Sequence, residues 1–126
     1  MKKALLLIAL LAVITACKKE RIKPSIAGRW ELRNESGGWG VNRDYPAGNG
    51  NGYTFSSDGH YEFLRDTAKV TGAYSVKIDS TFNGYQVGTI HFSLYNQSEP
   101  IQRKADTISI GTSVADGIVG KYVRVR

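Results

Sequence analysis

Tyr53-Thr54-Phe55-Ser56-Ser57-Asp58-Gly59-His60-Tyr61-Glu62-Phe63 is the stretch that decides the fold. Aromatic residues alternate with polar ones on both sides of a polar centre, so each arm has one apolar and one wet face, as a half-buried strand does. Asp58-Gly59 is a strong hairpin signal, and the expected connection is a two-residue type I′ turn with both residues at positive φ. The same period of two recurs in Trp30 and Leu32; in Tyr74, Val76 and Ile78; in Ile90, Phe92 and Leu94; in Ile108 and Ile110; and in Val119, Val123 and Val125. Asn83-Gly84 and Asp116-Gly117 mark further turns. Roughly eight short strands joined mostly by hairpins predict an all-β fold, a small up-and-down antiparallel β-barrel whose closure removes exposed sheet edges.

The chain begins differently. Met1-Lys2-Lys3 is a positive start, and Ala4 to Ala16 is a thirteen-residue run without a charge. That is the length of a secretory apolar region and too short for a membrane span of roughly 20 residues. Ile14-Thr15-Ala16-Cys17 resembles the lipobox of bacterial lipoproteins, which implies cleavage before Cys17 and acylation of its thiol. Cys17 is the only cysteine, so no intramolecular disulfide is available, and acylation would protect a lone thiol in an oxidising compartment. Several acyl chains, at about 0.8 kcal/mol per buried CH₂, would make a stable membrane anchor. The expected division is a signal peptide over 1–16, a lipidated cysteine and charged tether over 17–24, and one barrel domain over 25–126.

Charge follows the same division. The whole chain carries a formal +6, but Lys2 and Lys3 would leave with the signal, and Lys18, Lys19, Arg21 and Lys23 sit in the tether with Glu20. From Ser25 onward 11 Lys and Arg face 10 Asp and Glu, a net +1. Such a balance provides no broad basic face for a phosphate backbone, and nucleic acid is not an expected partner.

Ser36 to Gly52 interrupts the short connections with seventeen residues that include six glycines, Trp39 and Tyr45. A loop of that length in a compact domain is either functional or disordered, and the functional reading is a mobile lid at the barrel mouth.

Gly28-Arg29-Trp30 on the first strand resembles the glycine-any-tryptophan motif of lipocalins. The resemblance implies that Trp30 closes the barrel floor and that a basic residue of the last strand, here Arg124, packs over it. The run of lipobox, basic tether, Gly28-Arg29-Trp30, Asp-Gly hairpin and closing Tyr122-Val123-Arg124 is similar to the short lipocalin-like lipoproteins of Bacteroidetes. That likeness implies a place in the cell envelope, on the outer membrane, with either face open. Lys18 directly after the cysteine agrees, since an aspartate there would be the familiar inner-membrane retention signal.

Catalysis finds little to work with. Ser56, Ser57, Asp58 and His60 are the one local grouping with a nucleophile near a base, and a tight polar turn already accounts for them. Glu62 and Asp66 fall on a predicted outward face. His60 and His91 are too few for a metal site once Cys17 is acylated. The expectation is a protein that is not an enzyme and uses no cofactor or metal. The leading functional expectation is a membrane-anchored barrel receiving a small apolar ligand, touched by Trp39 and Tyr45 of the long segment and by Tyr53, Phe55, Phe63, Tyr74 and Phe92 of the strands. These inward aromatics could equally fill the barrel, and the protein would then act through contact with an envelope partner, as a complex accessory or a protease inhibitor.

Overall fold

The structure, a computed structural model, describes residues 25–126. The expected signal peptide, Cys17 and the expected tether lie outside the described residues. Nine strands form one antiparallel sheet: β1 Gly28–Gly37, β2 Asn42–Asp44, β3 Gly52–Phe55, β4 His60–Arg65, β5 Ala68–Phe82, β6 Tyr85–Phe92, β7 Gln97–Lys104, β8 Thr107–Gly111 and β9 Ile118–Val125. β9 pairs back onto β1 from Arg29↔Val125 to Gly37↔Ile118, so β1 and β3 to β9 close an eight-stranded up-and-down barrel. β2 is the additional strand. It pairs with Asn34 to Ser36 of β1, above the place where β3 pairs with Gly28 to Glu31 of the same strand.

The long segment from Ser36 to Gly52 is therefore not a free lid. Its first two residues finish β1, a 3-10 turn over Gly38–Gly40 reverses the chain, and β2 returns along β1. The return is then tied down by Gly48 N–H, which donates to both carboxylate oxygens of Glu31 at 3.0 Å, and by Asn49 Nδ2, which donates to the Leu32 carbonyl at 2.8 Å. Backbone pairing and buried polar contacts supply what the glycine count alone does not reveal.

Two hairpins show how turn chemistry sets register. Asn83 and Gly84, at φ 47° and 80°, connect the paired residues Phe82 and Tyr85, the two-residue turn whose twist matches the flanking strands. Asp58-Gly59 joins β3 to β4 as expected, but through a wider turn. Gly59 alone is left-handed there (φ 91°), Ser56 N–H bonds the His60 carbonyl at 2.8 Å, and Gly59 N–H reaches the Ser56 carbonyl at 3.3 Å. At Asp116-Gly117 the turn includes a 3-10 segment, Val114–Asp116, before β9 begins.

Trp30, Leu32, Phe55, Ile90, Ile101 and Ile108 are fully buried in the barrel core, each stabilising the fold by roughly 1.5–3 kcal/mol. Ile101 belongs to β7, Gln-Ser-Glu-Pro-Ile-Gln-Arg-Lys, a strand too polar for alternation to reveal. Leu94 lies outside the strands, exposed in the β6–β7 turn. In β9 the inward set is Gly120, Tyr122 and Arg124, so Val119, Val123 and Val125 face out.

β1 carries a bulge between Leu32 and Asn34, and β5 one between Ile78 and Ser80. A bulge adds one residue to a strand and shifts every later side chain to the opposite face. After Arg33 the inward residue of β1 is therefore Glu35, while Asn34 turns out to bond Asn42 and Asp44 on β2.

One end of the barrel is sealed. Ile26 is buried beneath it, and its carbonyl accepts the Trp30 Nε1 hydrogen at 2.8 Å. Arg124 lies over the Trp30 ring with its guanidinium carbon 4.3 Å from the ring centre, and donates to the Ala27 carbonyl at 2.8 Å. Arg103 holds the Ser25 carbonyl at 2.6 Å.

Candidate functional site

The opposite end is open and leads into a cavity of about 380 Å³. Six aromatic rings line it, those of Tyr53, Tyr61, Phe63, Phe92, Tyr95 and Tyr122. Strand register brings most of them together: Tyr53 and Phe63 are direct partners on β3 and β4, with centroids 4.5 Å apart, and Tyr53 meets Tyr122 edge to face at 5.2 Å. Tyr95 comes from the β6–β7 turn and stands at the rim, 70% exposed. Gly120 makes room for Tyr122 to lie along β9, because a Cβ there would fall 2.6 Å from the Tyr122 hydroxyl.

Polar groups enter the cavity at the same level. Glu35 lines it, and its carboxylate accepts hydrogen bonds from both Arg65 and the Tyr45 hydroxyl, the latter at 3.1 Å. Arg65 also donates to Tyr45 Oη at 3.0 Å, so the three residues lash β1 to β4 above the point where β3 begins. The Arg65 hydrogen bond holds the Glu35 carboxyl below its ordinary value, with the Tyr45 bond adding to the effect and burial opposing it. The same pairing raises Arg65. Glu99 and Gln97 of β7 complete the polar side, with Gln97 Nε2 donating to the Glu99 carboxylate.

The tyrosines below are held neutral. Burial pushes the Tyr53 hydroxyl up to about 12, with Tyr61, once ionised, and the Glu99 carboxylate acting in the same direction. Tyr122 is raised further, again chiefly by burial.

Of the residues singled out in the sequence, Tyr53, Phe63 and Phe92 line the cavity. Phe55 and Tyr74 lie deeper, 4.8 Å apart between ring centroids, and Tyr74 Oη donates to the Ser56 carbonyl near the sealed end. Neither Tyr45 nor Trp39 lines the cavity: Tyr45 stands behind Glu35, which it hydrogen-bonds, and Trp39 is 88% exposed on the 3-10 turn. Glu35, Tyr61, Glu99 and Tyr122 were not among the sequence candidates. Tyr61 was readable as the partner of Phe63 on one inward face, and Gly120-Lys121-Tyr122 as a small-then-large pair on another. Glu35 had no such signal, because the bulge sets its direction.

The turn cluster has a different character. Asp58 accepts from Ser56 Oγ and lies 3.1 Å from His60 Nδ1, so the carboxylate stands between hydroxyl and imidazole. In a nucleophile relay the imidazole would occupy that middle place. Asp58 and His60 are also mostly exposed, on the sealed side of the barrel. Ser56 additionally donates to the His60 carbonyl and accepts from His60 N–H, the bonds of a turn.

Fold and site together define a closed antiparallel β-barrel with one plugged end and one aromatic, partly acidic cup. No protein family, curated protein or solved structure matches the chain.

Proposed function

We propose that the protein is a lipid-anchored component of the bacterial cell envelope, on the outer membrane, whose barrel takes up a small and largely apolar molecule at its open end. The observation that carries this reading is the aromatic cup of about 380 Å³. That is within the range of small-molecule sites, which combine apolar walls with a few placed polar groups. Residues 25–27 lie against the sealed end, so a tether running from Cys17 to Pro24 would join the barrel there and leave the cup at the far side. The lipobox supports the anchor, and Trp30 beneath Arg124 agrees with the arrangement that a lipocalin-like floor implies. The reading includes no catalytic step and no metal or cofactor.

Native mass measurement of the protein taken from membranes tests it. The expected result is a diacylated Cys17 and a retained or exchangeable small ligand. If the protein carries none, and a broad set of apolar compounds fails to bind, the ligand reading is wrong. Recovery of a mature, membrane-held product from Cys17→Ser would overturn the anchor.

A second reading, contact with an envelope protein, has Trp39 in its favour. Its ring is 88% exposed, and Val114 on the neighbouring 3-10 turn is 75% exposed. Aromatic residues of this kind anchor protein interfaces.

A further inference from the structure

Resting on the ligand reading above, we infer that the cup selects a small amphiphilic cation, an aromatic or branched apolar body carrying an amine. The lining residues include two carboxylates, Glu35 and Glu99, and no lysine, arginine or histidine. Glu35 is answered by Arg65, which binds it from the wall. Glu99 takes part in none of the ion pairs among the described residues, and its hydrogen-bond partner is the neutral amide of Gln97. One negative charge is therefore left facing a space walled by six aromatic rings.

Both features favour the same ligand sign. Ring faces carry the negative side of the aromatic quadrupole and attract an ammonium group, most strongly where water is excluded. A carboxylate beside the rings adds a direct Coulombic attraction, which salt weakens because Glu99 is only partly buried. A fatty acid or other anion would meet Glu99 with no cation in the lining to receive it, so the cup is poorly built for the anionic amphiphiles that its apolar walls alone would admit. Size sets a limit as well. At about 30 Å³ for each water-sized group, the space holds on the order of a dozen heavy atoms, which suits a single ring or short branched chain with its amine.

The test uses three water-soluble probes of nearly equal shape: 3-phenylpropylamine, 3-phenylpropanol and 3-phenylpropionate. Each is titrated calorimetrically at neutral pH into the full chain held in lipid nanodiscs, with protein-free nanodiscs as the blank. The expected order is amine, alcohol, acid, with the amine about tenfold tighter than the alcohol. Glu99→Gln should bring the amine down to the level of the alcohol, and added salt should narrow the gap in the unchanged protein. If the alcohol or the acid binds as tightly as the amine, or if Glu99→Gln leaves the preference intact, the cation inference fails while the ligand reading stands. Binding of none of the three overturns the cation inference; the ligand reading falls with it only if the protein taken from membranes carries no ligand and the broad apolar set also fails.

Discussion

Arg124 lies over Trp30 with its guanidinium carbon 4.3 Å from the ring centre, and this contact joins the last strand to the first at the plugged end of the barrel. Three interactions meet there. The cation faces the indole, Arg124 donates to the Ala27 carbonyl at 2.8 Å, and the indole nitrogen donates to the Ile26 carbonyl at 2.8 Å. The segment before β1 is thereby folded under the barrel, and the interior is accessible from the other side.

Arg124→Ala should cost about 2–3 kcal/mol of stability, from loss of the ring contact and of a charged hydrogen bond. Gly28 is tied to the same group. Its φ is +133°, and a Cβ there would come within 2.5 Å of the Arg124 guanidinium nitrogen. Gly28→Ala should therefore destabilise on its own by about 1–3 kcal/mol. Urea unfolding of both single variants and the double variant should give less than the sum of the separate losses, since the methyl added at position 28 has no guanidinium to meet once Arg124 is truncated. Full additivity would mean that the two positions act independently.

Glu35 makes stability depend on acid pH. Its folded pKa lies below the ordinary 4.5, first because of the Arg65 hydrogen bond, so its contribution is present above that value and is lost as pH falls through the folded value. Glu35→Gln should lower stability at pH 7 by about 1–2 kcal/mol, with a smaller difference from the unchanged protein near pH 3. Denaturant midpoints measured across this range check the sign. A difference that grows toward low pH would contradict the pairing.

The buried tyrosines act at the other end of the scale. Tyr53 is pushed from 10.0 to about 12 by burial, and Tyr122 is raised further. A hydroxyl that ionises at higher pH when folded than when unfolded binds more protons in the folded state. Stability is thus complete below pH 10 and falls as pH rises above it. Phenolate absorbance should include a late rise, from Tyr53 and Tyr122, that coincides with unfolding. Tyr53→Phe should move the alkaline unfolding transition to higher pH. Ionisation of Tyr53 or Tyr122 near pH 10 in the still-folded protein would contradict their burial.

Local signals explain which strands were readable. β3 and β4 place large apolar residues at alternate positions, β6 does so at Ile90 and Phe92, and Asn83-Gly84 marks the β5–β6 reversal. β7 does not, because Ile101 is its one large apolar side chain and the rest of its inward face is polar. β2 has three exposed polar residues and exists through backbone pairing with β1. Its short, polar edge is also a poor template for association with another chain.

Alternation and turn residues by themselves determined that this protein is an all-β barrel of about eight strands, and which aromatic residues of β3 and β4 face inward. These are properties of residues close in the chain, where each side chain's face follows from its neighbours. Only the tertiary structure decided that the end opposite the Trp30 floor opens into a hollow, and that Glu35 looks into it. The bulge at Arg33 changes the facing of everything after it in β1, and it arises where β1 has to match β9, a strand almost ninety residues away.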